Sequence, residues 1–225
     1  MLDYETARED MVRGQLISRG IQDPGVLRGM RAVPREKFVP DDFVESAYDD
    51  GPLPIGSGQT ISQPYIVALM IQLLRLSPSD RVLEIGTGCG YAAAVAAHAA
   101  AEVYTVERHE ELAAEARKRL EDLGYDNVRV FVGDGSLGWP EHAPYDAIVV
   151  TAAAPEVPGP LLEQLKVGGR LVVPVASRAY GQELVRVRRE AANDYTRDSA
   201  GAVRFVPLVG KAGWDGKKRR SSPGG

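Results

Sequence analysis

Apolar positions along the 225-residue chain follow two spacings, which together predict an α/β fold. Short apolar or alternating runs predict strands at 81–85, 102–106, 128–132, 145–151 and 170–175, and an antiparallel finish of two strands at 183–189 and 202–209. Apolar residues at helical spacing predict helices at 3–18, 66–76, 92–101, 110–123 and 160–165, with a further short helix that begins at Asp23. A tight turn is expected at 166–169.

The strand at 81–85 runs directly into a glycine-rich loop and then into an alanine-rich helix. This order is typical of the first unit of a nucleotide-binding α/β fold, in which the helix N-terminus and glycine backbone face the ligand. The spacing is G-x-G-x-G, and Tyr91 replaces the last glycine of a dinucleotide fingerprint. Glu84 at the strand end would repel a pyrophosphate and attract a cation. The segment is similar to the first motif of S-adenosylmethionine-dependent methyltransferases.

Two further strands also end in acidic residues. Glu107 is placed to accept hydrogen bonds from ribose hydroxyls, and the alternative is a surface glutamate at a helix start. Asp134, between two glycines, can accept from an adenine amino group, although an isolated Asp of this kind more often belongs to a turn.

Residues 53–65 are rich in glycine, hydroxyl and amide side chains. One interpretation is a turn followed by a helix cap at Ser62 or Gln63, with Pro64 in the first turn. The other is a loop that covers the cofactor loop and presents hydroxyl and N–H groups to a substrate. Local chemistry leaves both interpretations open.

Composition adds limits to these predictions. The net charge of −4 gives no reason to expect nucleic-acid binding, and Cys89 as the single cysteine fits a reducing compartment. No signal peptide is evident at the start, and the alanine-rich helix is too short to span a bilayer, so we predict a soluble, cytoplasmic protein. The histidines and the cysteine lack metal-ligand spacing, and the basic run at 217–220 is interpreted as solvated charge in a flexible tail.

The chain resembles the protein-L-isoaspartate O-methyltransferase family over nearly its whole length before the tail. The segments that carry this resemblance are GQTISQPY at 58–65, 82–90, GDG at 133–135, 145–158, 166–174 and VRFVPLV at 203–209. The first of these segments is specific to the family, whereas the glycine loop indicates only a methyltransferase.

The resemblance implies a single doubly wound α/β domain with a mostly parallel seven-stranded sheet and an N-terminal helical addition. We assign this domain to residues 1–212, with the helical addition at 1–50, and we predict a flexible basic tail at 213–225, to which the resemblance does not extend. It also implies that S-adenosylmethionine gives a methyl group to the free α-carboxylate of L-isoaspartyl residues in damaged proteins and peptides. S-adenosylhomocysteine is then the product, and the ester re-forms a succinimide that starts repair. We expect a monomer that needs no metal and binds neither nucleic acid nor membrane.

The resemblance implies Ser62 as the active-site residue, in the role of holding the substrate carboxylate. The residues it implies for cofactor binding are Gln59, Thr60, Glu84, Gly86, Thr87, Gly88, Glu107, Arg108, Asp134 and Gly135. An isoaspartyl carboxylate is already ionised at neutral pH, so the lack of a His/Asp or Cys/His pair is expected.

Two alternatives remain at the level of the sequence. A methyltransferase acting on nucleobase or amide nitrogen commonly carries Asn/Asp-Pro-Pro-Tyr/Phe after the fourth strand, whereas this chain has Thr-Ala-Ala-Ala-Pro at 151–155. A non-catalytic module that binds S-adenosylmethionine is the other, and the intact Ser62, Glu84 and Glu107 argue against it.

Overall fold

A computed structural model describes residues 3–215 of the chain. Its nine strands are β1 (Leu53–Gly56), β2 (Gln59–Ile61), β3 (Arg81–Ile85), β4 (Glu102–Glu107), β5 (Val128–Val132), β6 (Tyr145–Val150), β7 (Leu165–Ser177), β8 (Gly181–Ala191) and β9 (Asp194–Ala202). The α-helices are α1 (Tyr4–Met11), α2 (Pro24–Ala32), α3 (Pro64–Leu74), α4 (Tyr91–Ala97), α5 (Glu110–Asp122) and α6 (Gly159–Gln164). A π-helical turn at Val12–Leu16 follows α1, and short 3₁₀ turns lie at Ile17–Arg19, Arg35–Phe38, Asp41–Ser46, Gly135–Leu137 and Pro140–His142.

Seven strands form one sheet in the order β5-β4-β3-β6-β7-β8-β9, and β1 and β2 form a separate two-stranded hairpin. The pairs from β5 to β7 are parallel, and those of β8 with β7 and β9 are antiparallel. The sheet changes direction at β3, which pairs with β4 on one side and β6 on the other. Ligands of such sheets bind outside the carboxyl ends of the strands at this switch point. The prediction of a mostly parallel, seven-stranded α/β fold is confirmed.

Hydrophobic cores cover both faces of the sheet. The N-terminal helices share the core of one face with α3 and α4, and the backbones of α2 and α4 lie so close that a Cβ at Gly29 would be 2.7 Å from Val95 O. The N-terminal residues therefore pack against the sheet as part of the same structure.

The helix predicted at 3–18 is present as a continuous helical segment from Tyr4 to Arg19, but its type changes after Met11. The α-helix ends at Met11, and the wider turn at Val12–Leu16 contains Gly14, which has low helix propensity. Gly20, with φ of +88°, ends the segment as expected. Asp23 begins the next helix, because its carboxylate accepts a 3.0 Å hydrogen bond from the Val26 N–H.

The prediction of a strand at 202–209 is wrong. The last strand is β9, which ends at Ala202, and the following residues leave the sheet to cross its carboxyl edge, where Pro207 bridges Ala153. β9 is mostly exposed and polar, so its sequence shows no apolar alternation. The turn predicted at 166–169 lies instead inside β7, where Gly168 has φ of +81° and the register with β6 shifts.

Candidate active site

The glycine loop that follows β3 has the backbone conformation that its sequence predicts. Gly86, Gly88 and Gly90 have φ of +96°, +53° and +92°, a region that side chains other than glycine rarely adopt. A Cβ at Gly86 would lie 2.4 Å from Thr151 Oγ1, and one at Gly88 would lie 3.1 Å from Ile55 Cδ1. The loop therefore requires glycine both for its backbone conformation and because neighbouring side chains lie close on two sides.

Glu84 at the end of β3 is buried without a cationic partner in residues 3–215. Its Oε2 accepts a 2.6 Å hydrogen bond from Thr105 Oγ1, which lies 2.7 Å from Thr87 Oγ1. Burial raises the pKa of Glu84 from 4.5 to about 8, against the opposing hydrogen bond from Thr105, and repulsion from Glu107 adds to the rise. A cationic ligand would supply the partner that this carboxyl lacks.

Glu107 lies beside the same loop at the end of β4. Its Oε2 accepts from the Gly88 N–H at 2.9 Å and its Oε1 from the His109 N–H at 3.0 Å. These two N–H groups fix the carboxylate between the loop and the start of α5, and each oxygen keeps a further lone pair for a ligand hydroxyl.

The β1–β2 hairpin lies over the glycine loop, and Ser62 follows it. Ser57 and Gly58 form the two-residue turn with φ of +49° and +68°. Gln63 holds the N-cap position of α3 without a capping side-chain bond, and its Nε2 donates instead to Asp50 Oδ1 at 2.7 Å. Gln63 therefore occupies the predicted N-cap position, with Pro64 in the first turn, although no side chain caps the helix.

Three cavities meet at the hairpin. A small buried cavity is lined by residues that include Ser62, Glu84, Gly86, Thr87, Gly88, Cys89 and Tyr91. A cleft of about 540 Å³ is lined by residues that include Gln59, Gly86, Gly88, Glu107, Arg108, His109 and Gly135. An open groove of about 730 Å³ is lined by residues that include Ser62, Gln63, Ile66, Arg204 and Phe205. We call them the inner cavity, the cleft and the groove. Thr60 and Thr151 line all three, and Ser62 lines the inner cavity and the groove.

Thr151 is a site residue that sequence reasoning missed. It follows β6, and its Oγ1 lies 3.0 Å from Ile85 O and 2.8 Å from Gly86 O as a shared donor. The hydroxyl therefore anchors the first residue of the glycine loop. The available signal was its position after a buried strand next to β3. The residues after that strand were assessed only for side chains able to bind an amino group.

Asp134 is the predicted site residue whose side chain is turned away from the cleft lining. Its Oδ1 accepts from the Ser136 N–H at 3.0 Å and hydroxyl at 2.6 Å, and its Oδ2 accepts from the Lys211 N–H at 2.8 Å. Partial burial opposes these donors, but the hydrogen bonds hold the pKa of Asp134 below its usual value. The carboxylate therefore fastens the C-terminal segment, of which Val209 lines the cleft.

That segment is ordered where a flexible tail was expected from residue 213. The Trp214 Nε1–H donates to Ala153 O at 2.8 Å, and its backbone N–H donates to Leu208 O at 2.7 Å. The basic run at 217–220 lies outside the described residues.

Within the same described range, no group of three or more His, Cys, Asp or Glu side chains is arranged to hold a metal ion. None of the helices in that range combines the length and apolar character that crossing a membrane requires.

The site suits a nucleoside with a cationic end. Glu107 offers carboxylate lone pairs at one end of the loop, the glycines leave backbone space, and the buried Glu84 lacks a cation at the other end. Together with the sheet order, this arrangement defines an S-adenosylmethionine-dependent methyltransferase of the α/β class.

Comparisons with known proteins identify a family within this class of methyltransferases. The sequence profile of the protein-L-isoaspartate(D-aspartate) O-methyltransferase family matches residues 6–213. The chain is 64% identical over 212 residues to protein-L-isoaspartate O-methyltransferase 2 of Pelobacter propionicus, with 94% of each chain covered. It is 60% identical over 207 residues to protein-L-isoaspartate O-methyltransferase 1 of Geotalea uraniireducens, with 92% of this chain and 94% of the relative covered.

Solved structures agree. A protein-L-isoaspartate O-methyltransferase superimposes with a TM-score of 0.82 at 31% identity, covering 92% of this chain and 67% of the other. A Plasmodium falciparum relative, in complex with S-adenosyl-L-homocysteine, gives 0.76 at 26% identity, covering 93% and 99%. The chain belongs to the protein-L-isoaspartate(D-aspartate) O-methyltransferase family. The predictions of the family and of the enzyme class are confirmed.

Proposed function

We propose that this protein transfers a methyl group from S-adenosylmethionine to the free α-carboxylate of L-isoaspartyl residues in proteins and peptides. The observation that carries the proposal is the position of Ser62, between the inner cavity and the groove. The groove is open to solvent with a volume of about 730 Å³, and the inner cavity is lined by the buried Glu84. Ser62 is thus at the opening through which a carboxylate reaches the methyl donor.

We propose the cofactor-binding residues from the cavities that they line. Glu84 and Thr87 face the methionyl end in the inner cavity, and Glu107 with Arg108 faces the ribose in the cleft. The other proposed contacts are Gln59, Thr60, Gly86, Gly88 and Gly135, which line the cleft. Asp134 acts indirectly, through Gly135 and the C-terminal segment.

The chemistry asks little of the protein beyond positioning. When bound, S-adenosylmethionine supplies an electrophilic methyl group. Because the substrate carboxylate is already ionised, no residue has to remove a proton. Ser62 donates a hydrogen bond to that carboxylate, and the hairpin and Thr151 hold the glycine loop in place. Fixed orientation in a site with little water provides the acceleration.

The test uses two peptides that differ only in an isoaspartyl or aspartyl linkage, each incubated with the protein and labelled S-adenosylmethionine. Base-labile methyl ester on the isoaspartyl peptide alone is the expected result. Equal labelling of both peptides, or of neither, would remove the proposal. S-adenosylhomocysteine should accumulate in step with the ester, with or without a metal chelator.

Four further expectations remain proposals that rest on the sequence. Residues 1–212 act as a single methyltransferase domain, and the protein works as a monomer. It acts in the cytoplasm, in keeping with its single cysteine, and it binds neither nucleic acid nor membrane, in keeping with its net charge of −4.

A further inference from the structure

Arg35 is a fully buried cation directly behind the inner cavity. Its side chain has a relative exposure of 0%. Its Nε donates to Ala47 O at 2.7 Å and its Nη2 to Ser62 O at 2.8 Å. Its guanidinium carbon lies 4.7 Å from the centroid of the Tyr91 ring. Ser62 and Tyr91 both line the inner cavity, so Arg35 supports its wall from behind.

The charge of Arg35 is uncompensated within residues 3–215. It takes part in no salt bridge there, and its Nη1 is buried without a hydrogen-bond partner. A buried charge without a partner is strongly unfavourable, and the large majority of buried polar atoms in proteins are paired. An arginine keeps its proton even so, because its ordinary pKa lies far above neutral.

The carboxylate of Glu36, next in the chain, is paired with Arg8, and the ionisable groups that act electrostatically on Arg35 are Tyr91, Cys89 and Tyr48. Burial raises the pKa of Tyr91 to about 12, and it also raises the pKa of the Cys89 thiol and of the Tyr48 hydroxyl. None of these groups supplies an anion. The guanidinium therefore projects a positive potential into the wall of the cavity, where low dielectric strengthens it.

Arg170, whose side chain is 19% exposed, is arranged differently. Arg170 also holds two backbone carbonyls, Leu74 O at 2.6 Å and Arg75 O at 2.8 Å, but its Nη2 is 2.7 Å from the carboxylate of Asp80. Arg170 shows what a purely structural arginine looks like in this fold. Arg35 has the same backbone contacts without the anion.

We propose that Arg35 is a positioning residue that selects a carboxylate substrate over its neutral ester product, by fixing Ser62 and by keeping an unpaired positive charge behind the inner cavity. An anionic carboxylate entering beside Ser62 is the missing partner of the charge. Methyl transfer neutralises the carboxylate, so the attraction disappears once the product has formed. Arg35 thus strengthens substrate binding without holding the ester. This inference rests on the proposed function.

The experiment compares two peptides that differ at one group: an isoaspartyl peptide and its stable, neutral analogue with an α-carboxamide in place of the α-carboxylate. Affinities are measured by calorimetry with S-adenosylhomocysteine present, so that no turnover occurs. The wild-type protein should prefer the carboxylate. In Arg35→Gln this preference should fall by at least about tenfold, because the substitution removes a Coulombic attraction that low dielectric strengthens. Arg35→Lys should keep the preference only at pH values at which the buried amine is protonated, because burial lowers the pKa of a lysine.

Arg170→Gln is the matched control. It removes a charge and two contacts to backbone carbonyls of residues that do not line the inner cavity, so it should lower stability and leave the preference unchanged. If Arg35→Gln does not fold, Arg35→Met replaces it, since apolar residues often substitute for buried charges without loss of stability.

Equal weakening of both peptides by Arg35→Gln, or an unchanged preference, would overturn the inference and leave a structural role. Failure of the proposed function would give a different experimental result. In that case the wild-type protein itself would not label the isoaspartyl peptide and would show no preference for its carboxylate.

Discussion

Replacing Glu84 by glutamine should stabilise the cofactor-free protein at neutral pH. In the folded protein, burial raises the pKa of this carboxyl from 4.5 to about 8. The folded state therefore holds a proton that the unfolded chain releases, and stability falls as pH rises through the interval between the two values. Each pH unit in the interval costs about 1.4 kcal/mol, so the accumulated cost at pH 7 is about 3 kcal/mol. Glutamine does not ionise, and its carbonyl can still accept the bond from Thr105.

The measurement is chemical denaturation of wild-type and Glu84→Gln proteins without ligand, at pH values from 5 to 9. The gain in the free energy of unfolding should be near zero at the acid end, grow to about 3 kcal/mol at pH 7 and level off above pH 8. Curves that stay parallel over this range would refute the assignment of a raised pKa to Glu84.

The same variant should bind the cofactor less well. The glutamine cannot become the anion that a cationic ligand needs, so affinity for S-adenosylmethionine should fall by about tenfold or more, the scale of a hydrogen bond to a charged group. Glu107→Gln is the control for stability. Its amide NH₂ would face the N–H donors of Gly88 or His109, so this variant should be destabilised at pH 7.

Four other substitutions test the site. Ser62→Ala should lower turnover on the isoaspartyl peptide by at least about tenfold while cofactor affinity stays within a few-fold; unchanged turnover in a peptide methylation assay would contradict its role. Gly88→Ala places a methyl group at positive φ against Ile55, so denaturation should show a loss of about 1–3 kcal/mol and calorimetry a weaker cofactor complex. Thr151→Val keeps the shape but removes the hydroxyl anchor, and a loss of about 1 kcal/mol in cofactor binding is expected, whereas full affinity would show that the anchor is dispensable. Asp134→Ala should cost about 1–3 kcal/mol of stability and speed proteolysis near residue 211; an unchanged cleavage rate would speak against its role as a fastener.

Local patterns predicted the parts of the fold that local forces determine. The buried strands, the glycine loop and the capped start at Asp23 depend on residues near one another in the chain. The β1–β2 hairpin also had a local signal, since a Ser-Gly pair following Gly56 suits a two-residue turn, but no strands were predicted on either side of it. β9 had none, because an exposed edge strand needs no apolar face.

The supporting residues of the site are held by contacts between distant parts of the chain. Arg35 donates a hydrogen bond to a carbonyl 27 positions away in the chain, and Thr151 donates one to a carbonyl 66 positions away. Asp134 accepts one from an N–H group 77 positions away. Motif spacing carries no information about such pairs, since only the folded sheet brings them together. Motifs therefore identified most of the predicted residues that line the cavities, whereas the residues behind them required coordinates.

The fastening of Trp214 gives the protein a built-in optical probe. The indole is 42% exposed, and its ring nitrogen and backbone are both bonded to residues beside the cleft. Of the two tryptophans in the sequence, Trp139 is stacked on Phe131 at 4.8 Å, so a Trp139→Phe protein would fluoresce from Trp214 alone. Emission from that single indole would report directly whether the C-terminal segment stays closed as the adjoining cleft fills and empties.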